Sequence, residues 1–392
     1  MTMFDDHIDL RLPGPTIVPA PVRYAIAQGT EHPAMNYRSE RFAELHRSVS
    51  HKLRQVMRTD SDVVILSGSG TAALEAGIGS VVGPGDTVIT AVAGYFAEYA
   101  SSVCDRVGAI NVRIEAEWGR PIEAEAVAAA LQRNPEARAV VVTHCETSTG
   151  VVSDVRAIAE VVAASDAVFA IDAVSSLVST PIEMDAWGID LLMSASQKAL
   201  MLPPGLAFLA ASEKAWSRIE ARSARSYYFD VAAYRSAARS GVTPYTPNVP
   251  LVLGLDVALD LILDEGVEVA WERHALLREM MRSGVRALGL RPFAEDDCAS
   301  STLTTVAIDD ADTLRSLMYE ELRLVVGGGL GHMRDRLLRL GHLGFATPLG
   351  AMTLIAALET ALVFTGRSER GGIGIAAAQR VWSEARAQRA GR

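Results

Sequence analysis

Between about residues 60 and 215, short apolar runs alternate with amphipathic stretches, and this alternation limits the fold more than any other feature of the chain. "DVVILSG", "DTVITAV", "RAVVVTH", "AVFAIDAV" and "LLMSAS" read as strands. "GTAALEAGIGSVV", "EAEAVAAALQR" and "DVRAIAEVVAAS" read as the helices between them. Near-continuous apolar strands separated by helices call for a mainly parallel sheet with both faces covered, so the expected class is α/β. After "TPYTPNVP" (residues 243–250) the texture changes. Two long helices broken near "DEG" are followed by "STLTTVAI", a helix around "ADTLRSLMYEEL", a glycine cluster "VVGGGLG" and "RLLRLGHLG". That α+β pattern predicts a smaller second domain, with the Pro-rich segment as the boundary. The expected units are an N-terminal segment 1–16, a large domain 17–250 and a small domain 251–392.

The 392 residues suffice for two such domains, and their charge narrows the partners. The formal net charge is −10, and no basic run stands out before the last dozen residues. An acidic surface repels phosphate backbones, which argues against nucleic acid and anionic membranes. Cys104, Cys145 and Cys298 are far apart and odd in number, which makes neither a disulfide framework nor a metal cluster. The first residues, "MTMFDDHIDLRLPG", lack a basic start and apolar core, and no apolar run approaches the roughly 20 residues that span a bilayer. The expectation is a soluble, cytoplasmic protein.

Against that background, "MSASQKALMLPPG" (residues 193–205) sets a lysine at the far end of a buried-type strand. Lysine is rarely buried without a partner, and an unpaired ammonium there would cost several kcal/mol. Ligands of open α/β sheets sit outside the carboxyl ends of the strands, so the polar residues at those ends matter. In "LSGSGTAALEA" the small residues Ser69, Gly70 and Thr71 form a strand-to-helix turn whose N–H groups can meet an anion. The plainer reading is a Ser/Thr helix cap. In "AIDAVSS", Asp172 ends an apolar strand, either as a capping aspartate or as the partner of a protonated ring nitrogen. "VTHCETSTGV" offers Thr147 as a donor, while His144 reads first as a core histidine. "AVAGYFAEY" offers Phe96 and Tyr95 for stacking on a ligand or for packing in the core. An amine in a desolvated, cation-rich site has a lowered pKa and is freed to form a Schiff base. An anion cradle, a ring-nitrogen carboxylate, a stacking aromatic and such a lysine together describe a pyridoxal phosphate site.

These motifs resemble the class V, fold-type I pyridoxal-phosphate-dependent aminotransferases, in particular the alanine/serine–glyoxylate aminotransferase group. The resemblance runs through "LPGPTIVP", "NYRSERF", "LSGSGTAALEA", "VTHCETSTGV", "IDAVSS", "WGIDLLMSASQKALMLPPGLAF", "TPYTPNVP", "GGGLG" and "RLGHLG", with "SASQKALMLPPGLAF" the most specific. It implies a mainly parallel, seven-stranded-type sheet in the large domain. It implies that Lys198 forms the Schiff base and shuttles the proton, and that Asp172 pairs with the pyridinium nitrogen. Phe96 would stack on the ring, Val174 would meet its other face, and Thr147 would approach its oxygen substituent. Ser69, Gly70, Thr71 and Gln197 would hold the phosphate. A further phosphate contact would come from Thr246 and Tyr245 of a neighbouring subunit, hence a homodimer with shared sites. Arg339 would clamp the substrate carboxylate through two parallel hydrogen bonds, although Arg323, Arg334 and Arg336 crowd it in sequence. Gly14, in the "LPGP" turn, would close over the substrate.

The implied activity is transfer of an amino group from serine, alanine or aspartate to glyoxylate or pyruvate by a ping-pong mechanism. The alternatives are another donor on the same scaffold (an aminophosphonate or pyridoxamine), a lyase, or a cofactor-binding regulator without turnover. Tyr37, Thr243 and Leu338 depart from the family's pattern and bear on substrate preference.

Overall fold

The computed structural model describes residues 8–31, 35–222, 224–369 and 371–390. Along the chain the strands are β1 (Asp9–Arg11), β2 (Val63–Gly68), β3 (Thr87–Val92), β4 (Ile110–Glu115) and β5 (Ala139–Thr143). A short hairpin of β6 (Cys145–Glu146) and β7 (Val151–Val152) follows, then β8 (Val168–Asp172), β9 (Leu191–Ala195) and β10 (Gly205–Ala211). The C-terminal part adds β11 (Arg291–Pro292), β12 (Leu303–Ala307), β13 (Leu324–Gly328) and β14 (Leu337–Gly341).

The large sheet has seven strands in the order β2-β10-β9-β8-β5-β3-β4. All neighbours run parallel except β10, which is antiparallel to both β2 and β9. The expected α/β class with a mainly parallel sheet is what the chain adopts. Strands β3, β5, β8 and β9 are buried along their whole length, because helices cover both faces. Consecutive parallel strands place their carboxyl ends on one rim, which brings Ser69, Thr143, Asp172 and Ser196 to the same side.

A second sheet, β1-β13-β14-β12-β11, makes the smaller layer, with helices Val267–Ala287, Ala311–Leu322, Pro348–Phe364 and Ile373–Ala390 packed around its core. The helices Val249–Glu265 and Val267–Ala287 break at Gly266, whose φ of +90° favours glycine. The first of them packs on helices Ala20–Glu31 and Glu40–Met57, and its Leu251, Leu255, Leu259 and Ile262 belong to the large core. Apolar residues packed into the small core begin at Leu276, so the helix Val267–Ala287 contributes to both cores.

The N-terminal stretch is part of the small sheet. β1 pairs in parallel with β13, Asp9 facing Leu324 and Arg11 facing Val326. The chain then runs through Pro13 and Gly14 to the rim of the large sheet; residues 1–7 lie outside the described part.

Candidate active site

A cavity of about 340 Å³ opens at that rim, within the range of small-ligand sites. It is lined by the β2 turn (Ser69, Gly70, Thr71), by Phe96 and Tyr99 on one helix, by Cys145 and Thr147, by Asp172, Val174 and Ser175, by Gln197 and Lys198, and by Gly14 and Pro15. Lys198 follows β9 by three residues, which carries its side chain past the sheet edge and answers the oddity of its position. Its Nζ donates to Pro13 O at 2.6 Å and stands 5.9 Å from the centre of the Phe96 ring. Burial pulls the amine down to about 8; Cys145 works against that shift and Arg339 with it. An amine at that value is poised to gain and lose protons near neutral pH.

Asp172 ends β8 and is buried, 6% exposed. Its Oδ1 accepts from the backbone N–H of Val174 at 2.9 Å, so it does cap its own turn. That bond opposes the cost of burial without cancelling it, and the carboxyl is pushed up to about 6. No ion-pair partner reaches Asp172 among the described residues, so its carboxylate faces the cavity in want of a cation. Gln197 supplies a second sign of the same kind, since its buried Oε1 has no hydrogen-bond partner.

The turn after β2 is not a side-chain cap. Ser69 has extended backbone angles at the start of helix Gly70–Val81, yet its side chain makes no capping hydrogen bond and the residue stays exposed to the cavity. A Cβ on Gly70 would lie 2.9 Å from a Val174 methyl, so glycine lets the turn close on the β8 loop. A helix N-terminus with small residues and free hydroxyls suits an anion. The buried carboxylate, the unpaired amide oxygen, the lysine and this cradle fit pyridoxal phosphate: a ring nitrogen, an aldehyde carbon and a phosphate each find a matching group.

Thr147 lies in the loop of the β6–β7 hairpin, its hydroxyl 3.4 Å from that of Ser175. Its carbonyl accepts from Arg339 Nη1 at 3.2 Å, and Arg339 Nε donates to Gly328 O at 2.7 Å. Arg339 stands on β14 beside the cavity, with backbone carbonyls as its hydrogen-bond partners. Burial brings its guanidinium down to about 10.

The remaining expected residues separate. Tyr95 turns towards Tyr99 and the glycine-rich loop at Gly331, while Phe96 takes the cavity. His144 is buried and lowered to about 4, and it borders a different groove with Ser153 and Trp271. Tyr245 and Thr246 do not line this chain's cavity. Tyr245 stacks on Tyr228, with ring centroids 5.2 Å apart, and its hydroxyl donates to Tyr227 O. The exposed Thr246 donates to the Tyr37 hydroxyl at 3.3 Å.

Sequence reasoning overlooked Glu146, Cys145, Tyr99 and Ser175. The last three are cavity wall. Glu146 is a fully buried carboxylate bonded to the first turn of the Phe96 helix, and only its place inside an otherwise small-residue strand-end motif hints at it. The three cysteines are free and buried. Among the described residues no group of three His, Cys, Asp or Glu side chains is placed to hold a metal ion, and no helix is long and apolar enough to cross a membrane.

The sequence model of the family described as Aminotransferase class-V matches residues 12–325. The chain is 38% identical to the soluble hydrogenase 42 kDa subunit of Anabaena cylindrica, over 97% of this chain and 100% of that one. It is 33% identical to the serine–glyoxylate aminotransferase of Methylorubrum extorquens, over 94% of each. Its fold superposes on the crystal structure of pyridoxamine-pyruvate aminotransferase from Mesorhizobium loti with a TM-score of 0.92 at 31% identity, covering 98% of this chain and 99% of that one. With the fold, the cavity and these likenesses in agreement, the chain belongs to the class V aminotransferases, fold-type I enzymes whose cofactor is pyridoxal phosphate.

Proposed function

We propose that this aminotransferase moves the amino group of a small L-amino acid (serine, alanine or aspartate) to glyoxylate or pyruvate in two ping-pong half-reactions. The observation that carries the reading is the meeting of Lys198 and Asp172 in one cavity, neither in a salt bridge, with Arg339 held against the cavity wall through the Thr147 carbonyl. Bound pyridoxal phosphate supplies the aldehyde that takes up the amino group and the ring that draws electrons from the substrate Cα.

The chain's own residues do the rest. Lys198 Nζ is tethered by Pro13 O and adjusted by burial to about 8, and it takes the proton from Cα and returns it. Asp172, short of a cation, keeps the ring nitrogen protonated. Phe96 and Val174 both line the cavity and would close on the two faces of the bound ring. Ser69, Gly70, Thr71 and Gln197 hold the phosphate at the helix N-terminus. Arg339, its fork held by two carbonyls, orients the substrate carboxylate, and Gly14 lends backbone above Lys198. Tyr245 and Thr246, turned away from this cavity, complete the phosphate site of a second copy, which makes the working unit a homodimer. Tyr227, 85% exposed beside Tyr245, gives that face an aromatic surface suited to a partner.

The test combines one variant with a substrate matrix. Lys198→Ala is expected to lose the visible absorbance of the purified protein and its fixation by borohydride. An unchanged spectrum, or borohydride fixation on another lysine, overturns the assignment. Half-reaction spectra with amino acids against oxo acids are expected to show bleaching by serine, alanine or aspartate and recovery with glyoxylate or pyruvate. Bleaching by pyridoxamine alone would move the reading to that donor.

A further inference from the structure

Glu146 is 1% exposed and has no part in the reaction assigned above. Its Oε2 accepts from the backbone N–H groups of Phe96 at 3.0 Å and Ala97 at 2.9 Å. Its Oε1 accepts from the N–H and the hydroxyl of Ser148, at 3.0 and 2.6 Å, and more weakly from Phe96 at 3.2 Å. The Ser148 hydroxyl in turn accepts from the N–H of Tyr95 at 3.1 Å. The first three N–H groups of helix Tyr95–Arg106 are thus bound by two side chains about 50 residues away.

Gly94, at the position where a cap would stand, has no side chain to offer. A Cβ there would lie 2.5 Å from Glu146 Cγ and 2.6 Å from the Ser148 hydroxyl, so the glycine makes room for the remote cap. A carboxylate at a helix N-terminus is favoured by the dipole, and its bonds to N–H groups are of the stronger, charge-assisted kind. The consequence reaches the cavity. The capped helix carries Phe96, and the capping hairpin carries Thr147, whose carbonyl holds Arg339. The charge of Glu146 also acts on Lys198, Asp172 and Arg339 together.

We propose that Glu146 is a positioning residue for the pyridoxal phosphate site: it locks the Phe96 helix to the Thr147 hairpin and sets a fixed negative charge among Lys198, Asp172 and Arg339. The inference rests on the reading that these residues surround the cofactor. It differs from a simple helix cap in what it predicts for the bound cofactor.

The test uses Glu146→Gln, Glu146→Asp and Ser148→Ala, each stripped of cofactor and titrated with pyridoxal phosphate. Cofactor affinity, the pH midpoint of the lysine-bound visible absorbance and the melting temperature are measured. Glu146→Gln removes the charge and turns an NH₂ towards N–H donors. Its half-saturation is expected to rise roughly tenfold or more, the scale of a lost hydrogen bond to a charged group. Its absorbance midpoint is expected to fall, since one of the two carboxylates facing Lys198 is gone while Asp172, Cys145 and Arg339 stay. Glu146→Asp and Ser148→Ala keep the charge, so their affinity drops while the midpoint holds. A lowered melting temperature with affinity and midpoint as in the wild type makes Glu146 a cap and nothing more, and overturns the proposal. If Glu146→Gln does not fold, wild-type affinity in both charge-keeping variants overturns it equally. Wild-type protein without a lysine-bound absorbance would instead sink the reading beneath it, and this inference with it.

Discussion

Arg339 shows what a single residue contributes and how little of that can be read locally. It sits on β14 opposite Thr305 of β12 and Gly327 of β13, and a Cβ at Gly327 would crowd its own Cβ at 3.2 Å. The guanidinium therefore lies along a strand neighbour that has no side chain. Arg334 and Arg336, its neighbours in sequence, are exposed, and only the fold separates the half-buried arginine from the rest. Arg339→Ala is expected to raise KM for every carboxylate donor and oxo acid by about 10- to 100-fold, the worth of a charge-assisted pair. Arg339→Lys is expected to recover only part, because an ammonium cannot supply the two-pronged contact. Steady-state kinetics over several carboxylates checks both; an unmoved KM would take Arg339 out of the site. The place of Lys198 and Asp172 in the cavity wall was legible because both stand at or just past the carboxyl ends of apolar strands, although Asp172 also serves as the cap that the plainer reading expected. Glu146 was not, because its partners Phe96 and Ala97 lie some 50 residues earlier and local pattern cannot report a cap supplied from so far away.

Among the elements, the N-terminal strap does most to shape the site. β1 is only three residues long and takes its place in the small sheet through β13. The following turn is fastened to the lysine loop by three bonds: Lys198 Nζ to Pro13 O, Thr16 N–H to Gln197 O at 3.2 Å, and the Thr16 hydroxyl to Lys198 O at 2.9 Å. Gly14 has φ of +121°, and a Cβ there would stand 2.5 Å from Lys198 Cδ and 2.8 Å from Nζ. Gly14→Ala is therefore expected to displace the amine. A misplacement of about 1 Å can cost roughly 100-fold in kcat/KM, and that is the loss to look for, beyond the lowered melting temperature that an alanine at this φ brings. Near-normal turnover would mean that the strap yields easily. Sequence pattern gave β2, β3, β5, β8 and β9 to within a residue or two, since each is an unbroken apolar run. It passed over β4, an edge strand reading "INVRIE" whose charged residues face water. It also passed over β10, whose reversed direction no strand–helix alternation announces.

Across the whole molecule, four of the histidines among the described residues are buried, in both halves of the structure: His46, His144, His274 and His342. Burial lowers His46 and His144 to about 4, and His274 and His342 to about 3. His274 shows why the neutral ring is built in, since Nδ1 lies 2.6 Å from Ala270 O and Nε2 accepts from the Gly344 N–H at 3.0 Å. That one donor and one acceptor describe a neutral tautomer, and a second ring proton would break the latter bond. Above pH 6.5 neither the folded nor the unfolded chain protonates these rings, so they add no pH dependence. Below it the unfolded chain takes up protons that the folded chain refuses, and stability falls as pH drops from about 6.5 towards 4. Asp172, raised to about 6, runs the other way in the cofactor-free protein, because there the folded chain binds the proton first. The net expectation for that form near pH 5 is an uptake of about three protons on unfolding, or about 4 kcal/mol lost per pH unit. If Asp172 pairs with the ring nitrogen as proposed, bound cofactor would give it a cation, removing the opposing contribution and steepening the slope towards four. Denaturant unfolding at pH 7, 6 and 5, with and without pyridoxal phosphate, measures this; equal slopes in the two forms would mean that the Asp172 carboxyl is not held high by burial in the empty cavity.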